Sequence, residues 1–354
     1  MTGDDDGAAP PFGRYSCLYV IWLPGASCTG CTVAANGGAH PSLEQMLVGA
    51  IPGLPRIELV HTLTSMESGD EWMDILFRAE RGELGFPYVL TWEGSVLDES
   101  RAGAGFWMGL GLEPGTGRQL TSREWLDRLA PGAEAVIAVG TCATWGGVPA
   151  ARGNPTGATG VGAQLGPGWI SRAGVPLINV PGCAPAGDDY LETLAAVCLH
   201  LNGLAPRPEL DGLGRPAWLY ADLGVACNRA GDLEGGRFAA EIGGSGCLAG
   251  LGCAGEAVQC SVAERGMVWG QGGCMSMGGI CIGCSMPGFP DQFRLYPEHR
   301  PAPPAPLRRN AAVRRWRHRP RATPVTAVPR GTCRALPASR FYRRPGPAPA
   351  IALV

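Results

Sequence analysis

Residues 17–23 are CLYVIWL, an apolar run of strand length in which polar side chains do not alternate. Such a run predicts a strand buried on both faces, as in a parallel sheet. Similar runs follow in the first half of the chain, at 57–63, 88–92, 135–139 and 176–180. Helices are predicted between and after these runs, at 42–51, 71–81, 122–129 and 188–202. The alternation predicts a doubly wound α/β domain over residues 14–203.

Charge is distributed unevenly along the chain of 354 residues. Residues 1–300 hold all 31 acids and 17 arginines, a net charge of −14, whereas residues 301–354 hold 12 arginines and no acid. An acidic body is a poor match for nucleic acid, because phosphate binding needs a basic face on the folded part. The sequence contains no lysine, which excludes Schiff-base chemistry and a phosphate-binding loop of the lysine type.

The two ends of the chain differ from its body. Residues 1–13 are acidic, without the basic and apolar regions of a secretory signal or a twin-arginine signal. No apolar run reaches the length needed to cross a bilayer. We therefore expect a cytoplasmic location and no transmembrane segment. Residues 293–354 are rich in Pro and Arg, which predicts disorder there as at 1–13; electrostatic contact with the acidic body or a partner is the alternative.

The chain contains fourteen cysteines, a large number for a protein that is expected in a reducing compartment. Disulfides are disfavoured there, so metal ligation or catalysis is the better interpretation. Seven of the cysteines fall between Cys227 and Cys284, within a glycine-rich stretch of little periodicity. We interpret residues 204–292 as a second, loop-rich region whose order depends on what its cysteines hold.

Four further cysteines follow predicted strands. Cys28 and Cys31 come after the first strand, Cys142 after the strand at 135–139, and Cys183 after the last strand. Because ligands bind at the carboxyl ends of parallel strands, these thiols are expected at one edge of the sheet. Three or four converging cysteines are typical of iron–sulfur clusters. Structural zinc fits less well, since it usually shows two local cysteine pairs at ribbon spacing.

Five strings of sequence also resemble one protein family. They are WLPGASCTGC, VGTCATWGG, NVPGCAP, CLAGLGCAG and CIGCSMPGFPD, in this order. From about residue 16 to residue 291 the chain resembles the small subunit of NiFe hydrogenases, most closely the soluble actinobacterial-type members. The resemblance implies a flavodoxin-like domain followed by a loop-rich iron–sulfur domain. It also implies three clusters, proximal, medial and distal, and a separate large subunit that holds the nickel–iron centre.

Carried onto this sequence, the resemblance implies a ligand set for each cluster. The proximal set is Cys28, Cys31, Cys142 and Cys183, the medial set is Cys260, Cys281 and Cys284, and the distal set is Cys227, Cys247 and Cys253. From this sequence itself we add Cys274 to the medial set and Asp222 to the distal set. Many family members have a proline near the position of Cys274 and hold a three-iron medial cluster. A cysteine there leads us to expect three 4Fe-4S clusters.

The distal set departs from the family pattern. Its usual fourth ligand is a histidine three residues before the first distal cysteine, and that position is Gly224 here. Asp222 has the only donor oxygen on a side chain in residues 221–226, so we expect it to be the fourth ligand. A three-iron cluster or a water ligand is the alternative, with Asp222 capping a turn.

Other candidates have plainer interpretations. Cys17 and Cys198 lie in apolar elements and are expected in the core, and His61 is expected to be a core or loop residue rather than a ligand. Glu93 follows the predicted strand at 88–92, on the cysteine edge. It is interpreted either as a hydrogen-bonding group near the proximal cluster or the subunit interface, or as part of a structural turn.

We therefore expect the electron-transfer small subunit of a hydrogenase, without catalytic residues of its own, in a heterodimer that forms a higher oligomer. Its electron acceptor is not specified by the sequence. Two alternatives stay open. One is the small subunit of a hydrogen-sensing hydrogenase. The other is a cluster subunit of a quinone-linked respiratory complex, which needs one cluster and leaves the seven cysteines from Cys227 to Cys284 unexplained.

Overall fold

Five parallel strands form the central sheet of this computed structural model, which describes residues 13–65, 69–220 and 226–293. In chain order the strands of the described residues are β1 (Cys17–Pro24), β2 (Arg56–His61), β3 (Tyr88–Glu93), β4 (Gly109–Leu112), β5 (Gln119–Thr121), β6 (Ala135–Val139) and β7 (Ile178–Val180). The sheet order is β2-β1-β3-β6-β7, and β4 and β5 form a separate antiparallel hairpin. With the hairpin set aside, this is the flavodoxin-like strand order, so the predicted fold class is confirmed.

Helices cover both faces of the sheet and continue into the C-terminal segment. The α-helices of the described residues are α1 (Gly30–Asn36), α2 (Leu43–Leu47), α3 (Gly69–Arg81), α4 (Ser122–Leu129), α5 (Thr141–Trp145), α6 (Val161–Leu165), α7 (Gly187–Leu201), α8 (Ala230–Glu234) and α9 (Val262–Arg265). Single turns of 3-10 helix occur at Glu99–Ala102, Ala130–Gly132, Val148–Ala150, Ala249–Leu251 and Gly255–Ala257. Within the part of the chain that is described, no helix is long and apolar enough to cross a bilayer.

The strand register aligns the carboxyl ends of the sheet. Trp22 pairs with His61, and two residues further along β1 Pro24 pairs with Glu93. Glu93 in turn pairs with Val139 of β6, whose partner in β7 is Val180. The loops after β1, β6 and β7 therefore begin at one edge, as the cysteine pattern predicts.

Two apolar clusters lie on the two faces of the sheet. All residues of β3 and β6 are buried, as expected for central strands of a doubly wound sheet. Cys17 and Cys198 are both buried, so their predicted place in the core is confirmed. The core alone thus accounts for the order of the α/β part.

The structure corrects two predicted elements near the start of the chain. The strand predicted at 57–63 ends at His61, because Ser65 and Leu63 donate backbone N–H groups to the His61 carbonyl oxygen and Nδ1. The helix predicted at 42–51 ends at Leu47. Gly49 follows with a φ of 66°, a left-handed conformation that interrupts the helix.

The C-terminal segment, residues 226–293, has little regular structure and a small apolar cluster. Val258, Met275 and Cys281 are its buried members, with other cysteines packed around them. The compact unit that contains this segment extends over residues 1–307, and a second unit over 308–354 lies outside the described residues. The predicted disorder of the two ends falls almost entirely outside the described residues, and the domain boundary at 203/204 stays a prediction.

Candidate functional site

The edge of the sheet brings the four predicted proximal cysteines together. Burial is the main cause that raises the pKa of Cys31, and the charges of Glu93, Cys142, Cys28 and Cys183 raise it further. Burial and the charges of Cys183 and Cys28 likewise raise the pKa of Cys142. A thiol whose pKa rises in this way loses its proton readily only when a positive charge, such as iron, compensates.

Two glycines make room for these sulfur atoms. Gly140 directly follows β6 and has a φ of 86°, and a Cβ at this position would collide with the Cys31 sulfur. Gly147 has a φ of 52°, and a Cβ there would lie 2.8 Å from the Cys142 sulfur. Both positions need glycine for its backbone conformation and for the close approach of a thiol.

Glu93 ends β3 beneath the proximal cysteines, with 3% of its surface exposed. Its Oε1 accepts a hydrogen bond from the backbone N–H of Cys31 at 3.0 Å. Its Oε2 accepts from the indole of Trp22 at 3.1 Å and from the hydroxyl of Thr32 at 2.5 Å. Of the two interpretations of Glu93, the hydrogen-bonding role next to a predicted ligand is therefore the one observed.

His61 extends this network and is a satisfied buried residue, as predicted. Its Nδ1 accepts from the backbone N–H of Leu63 at 2.9 Å, so its Nε2 carries the hydrogen. That N–H donates to the Thr32 hydroxyl at 3.0 Å. Burial lowers the pKa of His61, although the charge of Glu93 opposes the change. Both ring nitrogens are occupied by hydrogen bonds, which leaves neither free for a metal.

The predicted medial cysteines also lie close to one another. Burial raises the pKa of Cys284 to about 12, and the charges of Cys260, Cys274 and Cys183 contribute. Burial also raises the pKa of Cys260 to about 11, with Cys274 among the smaller causes. Burial raises the pKa of Cys281 to about 12, and two medial neighbours, Cys284 and Cys260, add to the effect. The backbone N–H of Cys183 and the charge of its thiol both act on the pKa of Cys284, so the medial set adjoins the proximal set.

The predicted distal cysteines form a third group. Burial raises the pKa of Cys247, and the charges of Cys253 and Cys227 raise it further. The Cys253 sulfur accepts a hydrogen bond from the backbone N–H of Cys281 at 3.2 Å, so this group adjoins the medial one. Asp222, the predicted fourth distal ligand, lies outside the described residues. So does Gly224, the position where the family has histidine.

The donor sets fit iron–sulfur clusters. Each group presents three or four thiols, the ligand type that these clusters use. Within residues 13–65, 69–220 and 226–293, no three His, Cys, Asp or Glu side chains are close enough to hold one metal ion. An iron–sulfur cluster spans several iron atoms and takes its cysteines at wider spacing. When bound, such clusters supply one-electron transfer.

Two charged residues near the C-terminal cysteines, the partly buried Arg229 and the buried Asp189, were not predicted from the sequence. Arg229 donates from its guanidinium to the carbonyl oxygens of Gly244 at 2.8 Å and Gly246 at 2.5 Å. Its backbone N–H donates to the Cys227 sulfur at 3.4 Å. The Arg229 guanidinium thus joins the segment that follows Cys227 to the loop that precedes Cys247. No local pattern in the sequence marks an arginine for this task.

Asp189, in the first turn of α7, is the other. It is 1% exposed and accepts a hydrogen bond from the Ser261 hydroxyl, next to Cys260. Burial raises the pKa of Asp189 to about 6, while Ser261 and Arg265 oppose the rise. The acidic first turn of this helix was visible in the sequence, but its contact with the cysteine-rich segment was not.

Comparison with known proteins identifies the class to which this fold and these cysteines belong. Residues 28–197 match the family described as NADH ubiquinone oxidoreductase, 20 Kd subunit, and residues 222–297 match the C-terminal family of NiFe/NiFeSe hydrogenase small subunits. The first match covers four of the five strands of the sheet, all but β1, and the proximal cysteines. The second covers all of the predicted medial and distal ligands.

Individual relatives agree with this class. The periplasmic NiFeSe hydrogenase small subunit of Desulfomicrobium baculatum is 34% identical, over 77% of this chain and 84% of its own length. The hydrogenase-2 small chain of Escherichia coli K12 is 32% identical, over 76% of this chain and 67% of its own length. Among solved structures, the actinobacterial-type NiFe-hydrogenase of Ralstonia eutropha H16 matches with a TM-score of 0.78 and 45% identity, over 80% of this chain and 83% of that one.

The chain belongs to the family of NiFe hydrogenase small subunits. The predicted resemblance, including the likeness to an actinobacterial-type member, is confirmed. As such a small subunit it is part of an H2-oxidising enzyme and pairs with a large subunit. Membership in the family also implies iron–sulfur clusters in this chain and the nickel–iron centre in the large subunit.

Gly140→Ala tests the space reserved for the proximal sulfur atoms. The added methyl would displace Cys31, so the purified heterodimer should lose about four iron atoms per small subunit, the content of one cubane. Iron and acid-labile sulfide analysis measures this loss. Gly166→Ala is the matched control, because Gly166 also has a positive φ, of 89°, but has no atom near its Cβ position. Equal iron content in the two variants would contradict the assignment.

Proposed function

We propose that this chain relays electrons from H2 oxidation in the large subunit, through three iron–sulfur clusters, to an external acceptor. The observation that carries the proposal is the unbroken series of thiol groups. The proximal group adjoins the medial group at Cys183 and Cys284, and the medial group adjoins the distal one at Cys281 and Cys253. Proximal, medial and distal ligands are proposed as in the sequence analysis, with Cys274 and Asp222 completing four-ligand sets.

The proximal edge is proposed to face the large subunit. Exposed apolar side chains lie near its cysteines: Val33 follows Cys31 by two residues, and Val148 begins the 3-10 turn after α5, the helix that carries Cys142. Exposed apolar residues beside a candidate redox site fit a permanent subunit interface. A cytoplasmic location and a higher oligomer of heterodimers stay predictions.

The respiratory-complex alternative has one observation in its favour, the match of residues 28–197 to a quinone oxidoreductase subunit family. That match ends before the medial and distal cysteines, which lie in the hydrogenase match at 222–297. A hydrogen sensor would have the same ligands and differ in turnover. These relations make an electron relay for catalytic H2 oxidation the better-supported function.

Purification of the tagged small subunit tests this function directly. We expect an untagged large subunit containing nickel to co-purify, with about twelve iron atoms per small subunit, the content of three cubanes. H2-dependent reduction of an artificial acceptor should accompany it. About four iron atoms would favour the respiratory alternative. A full iron complement without turnover would favour a sensor, and a stable cluster-loaded monomer would contradict the proposed partner.

Cys274→Pro tests the fourth medial ligand. With three cysteines left, the medial site should hold a three-iron cluster, which is paramagnetic when oxidised, whereas a cubane is diamagnetic in that state. Electron paramagnetic resonance of the oxidised heterodimer should therefore show a new three-iron signal. Cys198→Ala, a change in the core, should show none. An intrinsic three-iron medial signal in the unmodified protein would exclude Cys274 as a ligand.

Asp222→Ala tests the proposed oxygen ligand of the distal cluster. A carboxylate is a harder donor than thiolate, so the site depends on a comparatively weak fourth bond. The variant should lose or convert the distal cluster alone, as measured by its spectroscopic signal and by iron content. Asp232→Ala is the control, because Asp232 also lies five residues from Cys227 but ion-pairs with Arg237 at 2.7 Å. An unchanged distal signal with full electron transfer would exclude Asp222.

A further inference from the structure

Arg215 lies between the edge of the sheet and the cysteine-rich segment, with 2% of its surface exposed. Its backbone belongs to a turn closed by Asp211, whose Oδ1 accepts from the N–H groups of Leu213 at 2.9 Å and Arg215 at 3.0 Å. The turn is held against β7, because the N–H of Asn179 donates to the carbonyl oxygen of Gly214 at 2.8 Å. The α/β part therefore fixes where this side chain starts.

The guanidinium of Arg215 has partners on every side. Its Nε donates to Asp211 Oδ2 at 2.7 Å, and its plane lies over the ring of Tyr220 at 4.8 Å from the centroid. From Nη2 it donates to the side-chain oxygen of Gln259. From Nη1 it approaches the sulfur of Met286 at 3.9 Å. The planar fork of an arginine suits several fixed partners at once.

The last two partners stand beside proposed medial ligands. Gln259 directly precedes Cys260, and Met286 follows Cys284 by two residues. The two segments are also bonded to each other, since the N–H of Gln259 contacts the Met286 sulfur at 3.4 Å and the Ser285 hydroxyl donates to the Gln259 carbonyl oxygen at 2.7 Å. One buried cation thus joins the sheet edge to both segments that carry medial cysteines.

We propose that Arg215 is a positioning residue for the medial cysteines and that its charge raises the reduction potential of the cluster they hold. The inference rests on the proposed function. A guanidinium stays protonated in proteins, and a buried charge is weakly screened. Reduction adds negative charge to the cluster, so a nearby cation favours the reduced state. Asp211 opposes this effect, but 27% of its side chain is exposed and water screens it more strongly.

Redox titration of the assembled heterodimer, followed by electron paramagnetic resonance, tests the charge effect. In Arg215→Met the equilibrium constant for reduction of the medial cluster should fall about tenfold, which is about 59 mV for one electron. In Asp211→Asn it should rise, because the carboxylate charge is removed while a hydrogen-bond acceptor remains. Opposite shifts from two bonded residues would not follow from a purely structural role.

Arg215→Lys separates charge from positioning. Lysine keeps the positive charge but lacks the planar guanidinium that binds several partners at once. The reduction potential of the medial cluster should therefore stay near that of the unmodified protein, while a chelator should remove medial iron several times faster. Arg128→Met is the control. Like Arg215, Arg128 lies over an aromatic ring, that of Trp125 at 5.5 Å, and pairs with a carboxylate, that of Glu113 at 2.8 Å, but it is far in sequence from every proposed medial ligand. It should change neither quantity.

Three results would overturn the inference. The first is an Arg215→Met heterodimer with all cluster potentials unchanged. If that variant does not assemble, an unshifted medial potential in Asp211→Asn overturns the charge effect. Normal resistance to the chelator in Arg215→Lys overturns the positioning role. An unmodified heterodimer with fewer than three clusters would instead overturn the proposed function, and the inference with it.

Discussion

The carboxylate of Glu93 accepts hydrogen bonds from the Trp22 indole, the Thr32 hydroxyl and the Cys31 amide, and the cysteine edge of the sheet depends on these contacts. They join the ends of β3 and β1 to the start of α1. Hydrogen bonds to a charged group contribute about 1.5–3 kcal/mol each, and losing the acceptor would leave buried donors unpaired. Because Cys31 lies on that short helix, the position of this proximal cysteine follows from one buried side chain.

Much of this arrangement could be predicted from the sequence, because long apolar runs and the rule of strand ends are local and robust. The runs at 17–23 and 135–139 correspond closely to β1 and β6. The predicted meeting of Cys28, Cys142 and Cys183 at one edge follows from parallel strands alone. These inferences need only the burial of the apolar runs and the parallel direction of the strands, and both follow from local stretches of sequence.

The features that could not be predicted from the sequence have a common physical cause. The helices α1 and α5, which carry Cys31 and Cys142, are too short for a hydrophobic period, and each follows a residue with positive φ. Arg215 is buried and Arg229 partly buried by contacts with residues distant in the sequence, which no local pattern predicts. The C-terminal segment has only a small apolar cluster, so such polar contacts and the thiol groups replace a core there. Its order is therefore least predictable from composition.

The spacing of the cysteines along the chain also imposes an order of assembly. The proximal set begins at Cys28 but is complete only when the chain has reached Cys183 and β7 has joined the sheet. The C-terminal segment then closes against this edge, since the hydroxyl of Thr141 donates to the Cys284 carbonyl oxygen and the indole of Trp145 to that of Ser285. During synthesis from the N-terminus, the four thiols of this edge are therefore all made before the first cysteine of the C-terminal segment. The topology thus makes the order in which the thiol groups become complete a property of the polypeptide.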